Sequence, residues 1–333
     1  MEKKILMAHG NGGELMGNLI SEIIVDIFGS DSVQLDDSAI IGPEIGKLVF
    51  TTDTYTITPL FFEGGDIGKL AVNGTVNDMA VMGARPKFLS CGLVLEEGFD
   101  ISSLQRILSS MKEAAEYAGV KIVTGDTKVV EKGSVDKIFI NTSGIGVLSE
   151  YSFRNKINPG DTVIVNGTIG DHGISIMAER SKLSFSKGLS SDSAPLNKML
   201  LSIGEQFAGS VRFARDATRG GVASVLNEIT EGMEYSIKLF EEKLPFKNEV
   251  SGVCEILGLD PLYSANEGKV VLIVDHYKGD DIVKTMREFP EGEDAVIIGE
   301  IDMDFPGRVY IKTQVGGNRI LPLLQDDQLP RIC

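Results

Sequence analysis

Short apolar runs of strand character alternate with stretches of helical spacing along almost the whole chain, and that alternation confines it to a layered α/β fold. Leu15, Leu19, Ile23 and Ile27 recur every four residues before Gly29, which predicts a helix. Leu48-Val49-Phe50, Phe88 to Leu95, Val120 to Val123 and Lys137 to Val147 read as strands, with a helix from Ser102 to Tyr117 among them. The pattern pauses in a polar stretch from Glu150 to Pro159-Gly160 and restarts at Thr162 to Val165. Helices over Leu196 to Phe207 and Ala223 to Thr230, and strands over Val270 to Val274 and Val309 to Thr313, follow. A length of 333 residues suits about two domains. The expected fold class is α/β of the α+β type, with mixed sheets packed against helices. The expected division is an N-terminal domain at residues 1–155, a C-terminal α/β domain at 156–315 and a flexible tail at 316–333.

Composition narrows the function. Acidic residues outnumber basic ones by 48 to 32, for a formal charge of -16, so nucleic acid and anionic membranes are poor partners. A polyanionic substrate needs local cations or metal ions to bind here. Cys91, Cys254 and Cys333 stand far apart with no Cys-x-x-Cys pair, which argues against a zinc site or a disulfide framework. The expected compartment is the reducing cytoplasm. The apolar run that follows Met1-Glu2-Lys3-Lys4 stops at His9, too short for a signal peptide, and no window approaches a membrane span.

Several polar groups stand where a fold of this class places ligands. Asp37, Asp53, Asp78 and Asp126 lie near the ends of predicted elements. Oxygen-only ligands of this kind suit Mg²⁺, which bridges protein carboxylates to substrate phosphates, whereas scattered carboxylates would serve only as solvated turn residues. Asn77 and Asp78 sit inside an otherwise small and apolar helix, where a polar pair is costly unless it faces a cation or hydrogen-bond donors. Ser184 to Ser193 reads as a surface loop, Cys91 as a structural core residue, and His172 and His276 as turn or surface residues. The chain closes on Cys333, and a thiol at the end of a loose arm can visit several pockets.

His9-Gly10-Asn11-Gly12-Gly13, Asp36-Asp37-Ser38-Ala39, Gly64-Gly65-Asp66-Ile67-Gly68-Lys69-Leu70, Gly74-Thr75-Val76-Asn77-Asp78, Thr124-Gly125-Asp126-Thr127-Lys128, Arg215-Asp216-Ala217-Thr218-Arg219-Gly220-Gly221, Asn266-Glu267-Gly268-Lys269 and Pro330-Arg331-Ile332-Cys333 extend across nearly the whole chain. In combination they closely resemble the HypE family of hydrogenase maturation factors. Singly, several of them mark only the wider superfamily of ATP-using aminoimidazole ribonucleotide synthetase-like proteins.

The resemblance implies a two-domain protein that forms a homodimer through its N-terminal domain and holds ATP and Mg²⁺ on its N-terminal acidic motifs. It further implies that a HypF-type carbamoyltransferase loads a carboxamide onto Cys333. ATP-dependent dehydration then gives a thiocyanate, whose cyano group passes to iron on a HypC–HypD scaffold. In that scheme Asp37, Asp53, Asp78 and Asp126 hold the metal, while His9, Lys69, Asn77, Asp216 and Arg219 border the nucleotide. Lys128 and Glu267 match the positions that transfer protons from the carboxamide nitrogen, although a Lys–Glu pair can also be a plain salt bridge. The rival readings are a selenophosphate synthetase, a thiamine-monophosphate kinase, or a non-enzymatic nucleotide-binding protein that presents its tail for docking. The first usually carries a reactive Cys or Sec in the segment that here reads His9 to Gly13 and has none.

Overall fold

A computed structural model describes residues 13–19, 39–41, 46–181 and 189–324. The N-terminal domain is built on a five-stranded sheet ordered β1-β2-β7-β5-β6. Its strands are β1 (Ala39–Ile41), β2 (Leu48–Tyr55), β5 (Ala84–Glu96), β6 (Lys121–Val130) and β7 (Ile138–Leu148), with a small hairpin of β3 (Phe61–Phe62) and β4 (Gly65–Asp66) beside it. Only β5 and β6 run parallel, and helix α3 (Ile101–Ala118) makes the crossover between them. Strands β2, β5 and β7 alternate buried and exposed residues, the mark of a sheet covered on one face. The cover is helix α2 (Ile67–Val81), against which α3 packs.

Helix α2 is apolar nearly all round, and most of its residues are buried, so it is a core helix rather than a surface one. It begins where Asp66 accepts hydrogen bonds from the N–H groups of Gly68 and Lys69, at 2.8 and 3.1 Å. One side packs on β2, β5 and β7, and the other meets the second domain, where Ala80 and Val81 join the core of Leu196, Met199 and Leu200.

The C-terminal domain carries a seven-stranded sheet ordered β14-β13-β10-β12-β8-β11-β9. These strands are β8 (Thr162–Val165), β9 (Val211–Asp216), β10 (Ser236–Phe240), β11 (Val270–Val274), β12 (Val296–Asp302), β13 (Val309–Lys312) and β14 (Asn318–Leu321). Strands β8 and β11 are buried at every position, because helices cover both faces. Val163, Val165, Val271 and Ile273 pack with α6 (Gly221–Thr230) on one side. Ile164, Leu272 and Val274 pack with α5 (Asn197–Gln206) and α8 (Gly279–Met286) on the other. Helices α1 (Glu14–Leu19), α4 (Asp171–Arg180) and α7 (Asn248–Leu257) complete the described set.

The structure corrects three expectations. Asn318–Leu321, assigned to the tail, pairs as β14 with β13 and buries Leu321. Gly316-Gly317 forms the turn of that hairpin, with the Thr313 N–H donating to the Gly317 carbonyl at 2.9 Å. The Tyr263 hydroxyl then holds the Pro322 carbonyl at 2.6 Å, and the Glu14 N–H holds that of Leu324 at 3.2 Å, so the fold fixes the chain to Leu324. His172 is fully buried, and so are Ser191 and Ser193 of the segment read as a surface loop, because hydrogen bonds inside the protein satisfy all three. The predicted helix is described for Glu14–Leu19, while Ile23 and Ile27 lie outside the described residues.

Candidate active site

The site begins on the inward face of β2. The pleat turns Val49, Thr51, Asp53 and Tyr55 toward α2, because alternate residues share a face. The Thr51 hydroxyl donates to Asp78 Oδ2 on α2 at 2.7 Å, and the Tyr55 hydroxyl donates to Asp53 Oδ2 at 2.9 Å. Burial pushes the Asp53 carboxyl up, and the Tyr55 hydrogen bond and the nearby Arg219 charge oppose that rise. Burial, followed by the charges of Asp53, Asp78 and Glu267, keeps the Tyr55 phenol neutral far beyond its usual range.

The opposite wall is the turn that leads into β11. Asn266 fixes this turn: its Oδ1 accepts the Gly170 N–H at 2.7 Å, and its side-chain amide donates to the Ala217 carbonyl at 2.9 Å. The next residue, Glu267, is 2% exposed, and its Oε1 has no hydrogen-bond partner among the described residues. Burial first, and then the charges of Asp192, Asp216 and Asp53, raise its carboxyl well above the usual range, with Arg219 opposing. A buried carboxyl without a donor is costly to the fold, so its retention here points to chemistry.

Asp192 holds this turn in place. Its Oδ1 accepts the Glu267 N–H at 3.0 Å, and its Oδ2 lies 3.1 Å from Lys269 Nζ. Burial pushes the Asp192 carboxyl up, but Lys269, the Glu267 N–H and His172 outweigh it and hold the group below its ordinary value. Gly268 is required because a Cβ there would stand 2.0 Å from the Asp192 carbonyl oxygen. Residues 191–196 are tied to α2 from the other side: Asn73 donates to Ser193 Oγ at 3.0 Å, and Asn77 donates to the Ala194 carbonyl at 3.0 Å and accepts the Leu196 N–H at 2.7 Å. Lys69 donates to the Gly64 carbonyl at 3.0 Å; burial lowers its pKa, against the pull of Asp66 and Asp192.

Two carboxylates held by hydroxyls, a buried carboxyl and nearby cations can together receive a phosphate-bearing ligand and accept a proton. Known proteins resemble the chain over its whole length. The model of the AIR synthase related protein N-terminal domain matches residues 35–148, and that of its C-terminal domain matches residues 158–312. The chain is 45% identical over 338 residues to the carbamoyl dehydratase HypE of Rhodobacter capsulatus, spanning 100% of this chain and 99% of that one. The chain belongs to the HypE family. HypE in a crystal structure of the HypE–HypF complex superposes with a TM-score of 0.85 at 47% identity, covering 92% of this chain and 99% of that one. HypE crystallised with ATP superposes at 0.82 and 42%, covering 99% and 100%.

Against HypE-family expectations, the fold brings some predicted residues together and separates others. Asp53, Asp78, Glu267, Asp216 and Arg219 converge, and Lys69 lies beside Asp192. Asn77 is committed to holding residues 194–196. Asp126 and Lys128 are elsewhere. Asp53 sits opposite Thr142, and Thr142 opposite Cys91, whereas Asp126 and Lys128 pair with Gly92 and Val94 on the other pleat. They therefore point from the outer face of the sheet, on an exposed strand about 14 Å away at ~4.8 Å per strand spacing. One copy of the chain thus assembles neither a four-aspartate cluster nor a Lys128–Glu267 pair; among the described residues no group of His, Cys, Asp or Glu could hold a metal alone. Asp53 and Asp78 still fit Mg²⁺, which takes one or two carboxylates and completes its shell with phosphates and water. His9, Asp37 and Cys333 lie outside the described residues.

Sequence reasoning missed Thr51, Tyr55, Asp192 and Lys269. Asp192 had no signal, since serine-rich context around an aspartate reads as a loop. Thr51 and Tyr55 did have one, namely their two-residue spacing on either side of Asp53 in a strand.

Proposed function

We propose that this chain is an ATP-dependent carbamoyl dehydratase, which converts a carboxamide carried on Cys333 to a thiocyanate and so supplies the cyanide ligand of nickel–iron hydrogenase. The observation that carries this reading is the buried, unpartnered carboxyl of Glu267 beside Asp53 and Arg219. The amide oxygen attacks the γ-phosphorus of ATP and ADP leaves. The phosphorylated oxygen then departs as phosphate while the nitrogen gives up its protons and the C≡N bond forms. Glu267 takes a proton from that nitrogen, and the burial that raises its pKa makes its carboxylate a stronger base. Arg219 and Lys69 offset phosphate charge, and Asp216 borders the nucleotide. Asp53 and Asp78, with Asp37, hold Mg²⁺, which when bound neutralises charge on the transferring phosphoryl group.

The proton-transfer partner, Lys128, comes from a second copy. The outer face of the N-terminal sheet supports such a dimer: Phe50, Ile145 and Phe88 are neighbours across β2, β7 and β5, and they are 39%, 40% and 46% exposed. Pairing two copies over this face covers the row and delivers the partner's Asp126 and Lys128 across the interface. The division into an N-terminal ATP-binding and dimerisation domain, a C-terminal domain and a thiol-bearing tail follows the same reading, with the arm starting beyond Leu324 rather than at residue 316. Nine further residues lie between Leu324 and the end at Cys333, a reach of about 30 Å for an extended chain. Loading falls to a HypF-type carbamoyltransferase and unloading to a HypC–HypD scaffold, in the cytoplasm.

Intact-mass spectrometry tests the assignment. With ATP, Mg²⁺, carbamoyl phosphate and a HypF-type partner, the protein is expected to gain one carbamoyl group on Cys333 and then lose one water. An unchanged mass with an active partner, or the same modification on Cys333→Ala, overturns it.

A further inference from the structure

Two residues of the Gly74-Thr75-Val76-Asn77-Asp78 motif, Gly74 and Thr75, have no role in the scheme above. Their surroundings supply one. The Tyr55 side chain is buried to 4% exposure, and its hydroxyl presses against the Gly74 backbone so closely that a Cβ at position 74 would stand 2.2 Å from it. That notch in α2 lets the phenol reach Asp53 Oδ2 at 2.9 Å. Thr75 sits one residue on, with its hydroxyl 2.6 Å from that of Thr142, which in turn bonds the Ala71 carbonyl at 3.0 Å. The ring is buried in the apolar core, while its hydroxyl reaches the helix backbone at Gly74. A tyrosine that only filled the core would need no glycine opposite its oxygen, and a buried hydroxyl aimed at a carboxylate gives up the freedom to pack elsewhere.

The geometry points to Tyr55 as a positioning residue, seated by the Gly74 notch, that fixes the rotamer of Asp53 and presents its second oxygen to the Mg²⁺·ATP complex. The Thr51 hydroxyl likewise donates to Asp78 Oδ2 at 2.7 Å from the same face of β2. Each hydroxyl occupies one carboxylate oxygen. A carboxylate pinned in this way enters the metal shell without first losing rotational freedom, and removing such outer hydrogen bonds typically costs 10–100-fold in metal affinity. This inference rests on the reading that Asp53 meets the metal.

The experiment measures Mn²⁺ binding by electron paramagnetic resonance, with the full-length protein and a non-hydrolysable ATP analogue, beside thermal melting. Asp53→Asn tests the underlying reading, and Tyr55→Phe and Gly74→Ala test the inference. We expect Tyr55→Phe to weaken Mn²⁺ binding about 10-fold, the low end of the range for lost outer-shell hydrogen bonds. Its melting temperature should stay near that of the parent, since the ring still fills its place in the core. Gly74→Ala should weaken binding with Tyr55 intact, and adding Tyr55→Phe to it should cost no further affinity. Parental Mn²⁺ affinity in a folded Tyr55→Phe protein, alongside a loss in Asp53→Asn, overturns the inference alone. Parental affinity in Asp53→Asn overturns the reading beneath it. Equal, additive losses in Tyr55→Phe and Gly74→Ala also overturn the inference, because the notch would then act independently of the hydroxyl.

Discussion

The two sheets of this protein are covered differently. In the C-terminal domain β8 and β11 are buried on both faces, sealed by α6 on one side and by α5 and α8 on the other. In the N-terminal domain only the inner face is sealed; the outer face carries the Phe50, Ile145 and Phe88 row, and β6 is exposed along nearly its whole length. The first sheet is a scaffold that positions Glu267 and Asp216 at the ends of its strands. The second directs Asp53 toward its own helix α2 and Lys128 outward from the opposite face. On the function proposed above, chemistry that needs both is shared between copies.

Breaking the inner site should have the largest effect. Glu267→Gln should lower the rate of thiocyanate formation by about 10²–10⁴-fold, the usual worth of a general base, and leave carbamoylation intact. Accumulation of the carbamoylated mass would show this. Asp126 and Lys128 on the outer face allow a sharper test. Lys128→Ala and Glu267→Ala proteins, each inactive alone, should recover when mixed and allowed to exchange subunits, approaching about a quarter of parental activity if half the dimers are mixed and each has one intact site. No recovery would place both residues in one copy.

In the fully buried sheet, Leu272→Ala should destabilise the protein by about 2–5 kcal/mol, measurable by denaturant unfolding, because the cavity forms where both faces are packed. Phe50→Glu on the open face should instead leave folding nearly unchanged while shifting sedimentation from dimer to monomer. The smallest effect concerns pH. Because burial raises the Glu267 pKa in the folded state, the native protein binds more protons than the unfolded chain above the ordinary glutamate value of 4.5. Its contribution is therefore full below that pH and is lost as pH rises toward the folded pKa. The parent should lose stability across that window relative to Glu267→Gln, whose melting temperature should change less there.

Much of this was legible in the residues. Strand and helix periodicity gave both α/β domains and the pause near residue 155, since burying one face imposes a period that shows in the sequence. The acidic residues read from the sequence include Asp53, Asp78, Glu267 and Asp216, which the fold brings near one another, whereas Asp126 and Lys128, read with them, lie on the outer face. The reading failed where long-range pairing decides. A serine-rich stretch around Asp192 carries no periodicity, yet it is buried because Asn73, Asn77, Glu267 and Lys269 close on it from both domains. The Asn318–Leu321 segment looked like tail because nothing local shows that β13 offers it an edge.

The sequence by itself determined the family, the α/β layering and the residue types the chemistry requires, because periodicity and motif spacing are local properties. Only the tertiary structure decided which of those residues can meet. Lys128 and Asp53 part company because they lie three strands apart in the sheet and on opposite faces of its pleat. Tyr55 on a strand and Gly74 on the next long helix meet because strand and helix pack to within a hydroxyl's reach.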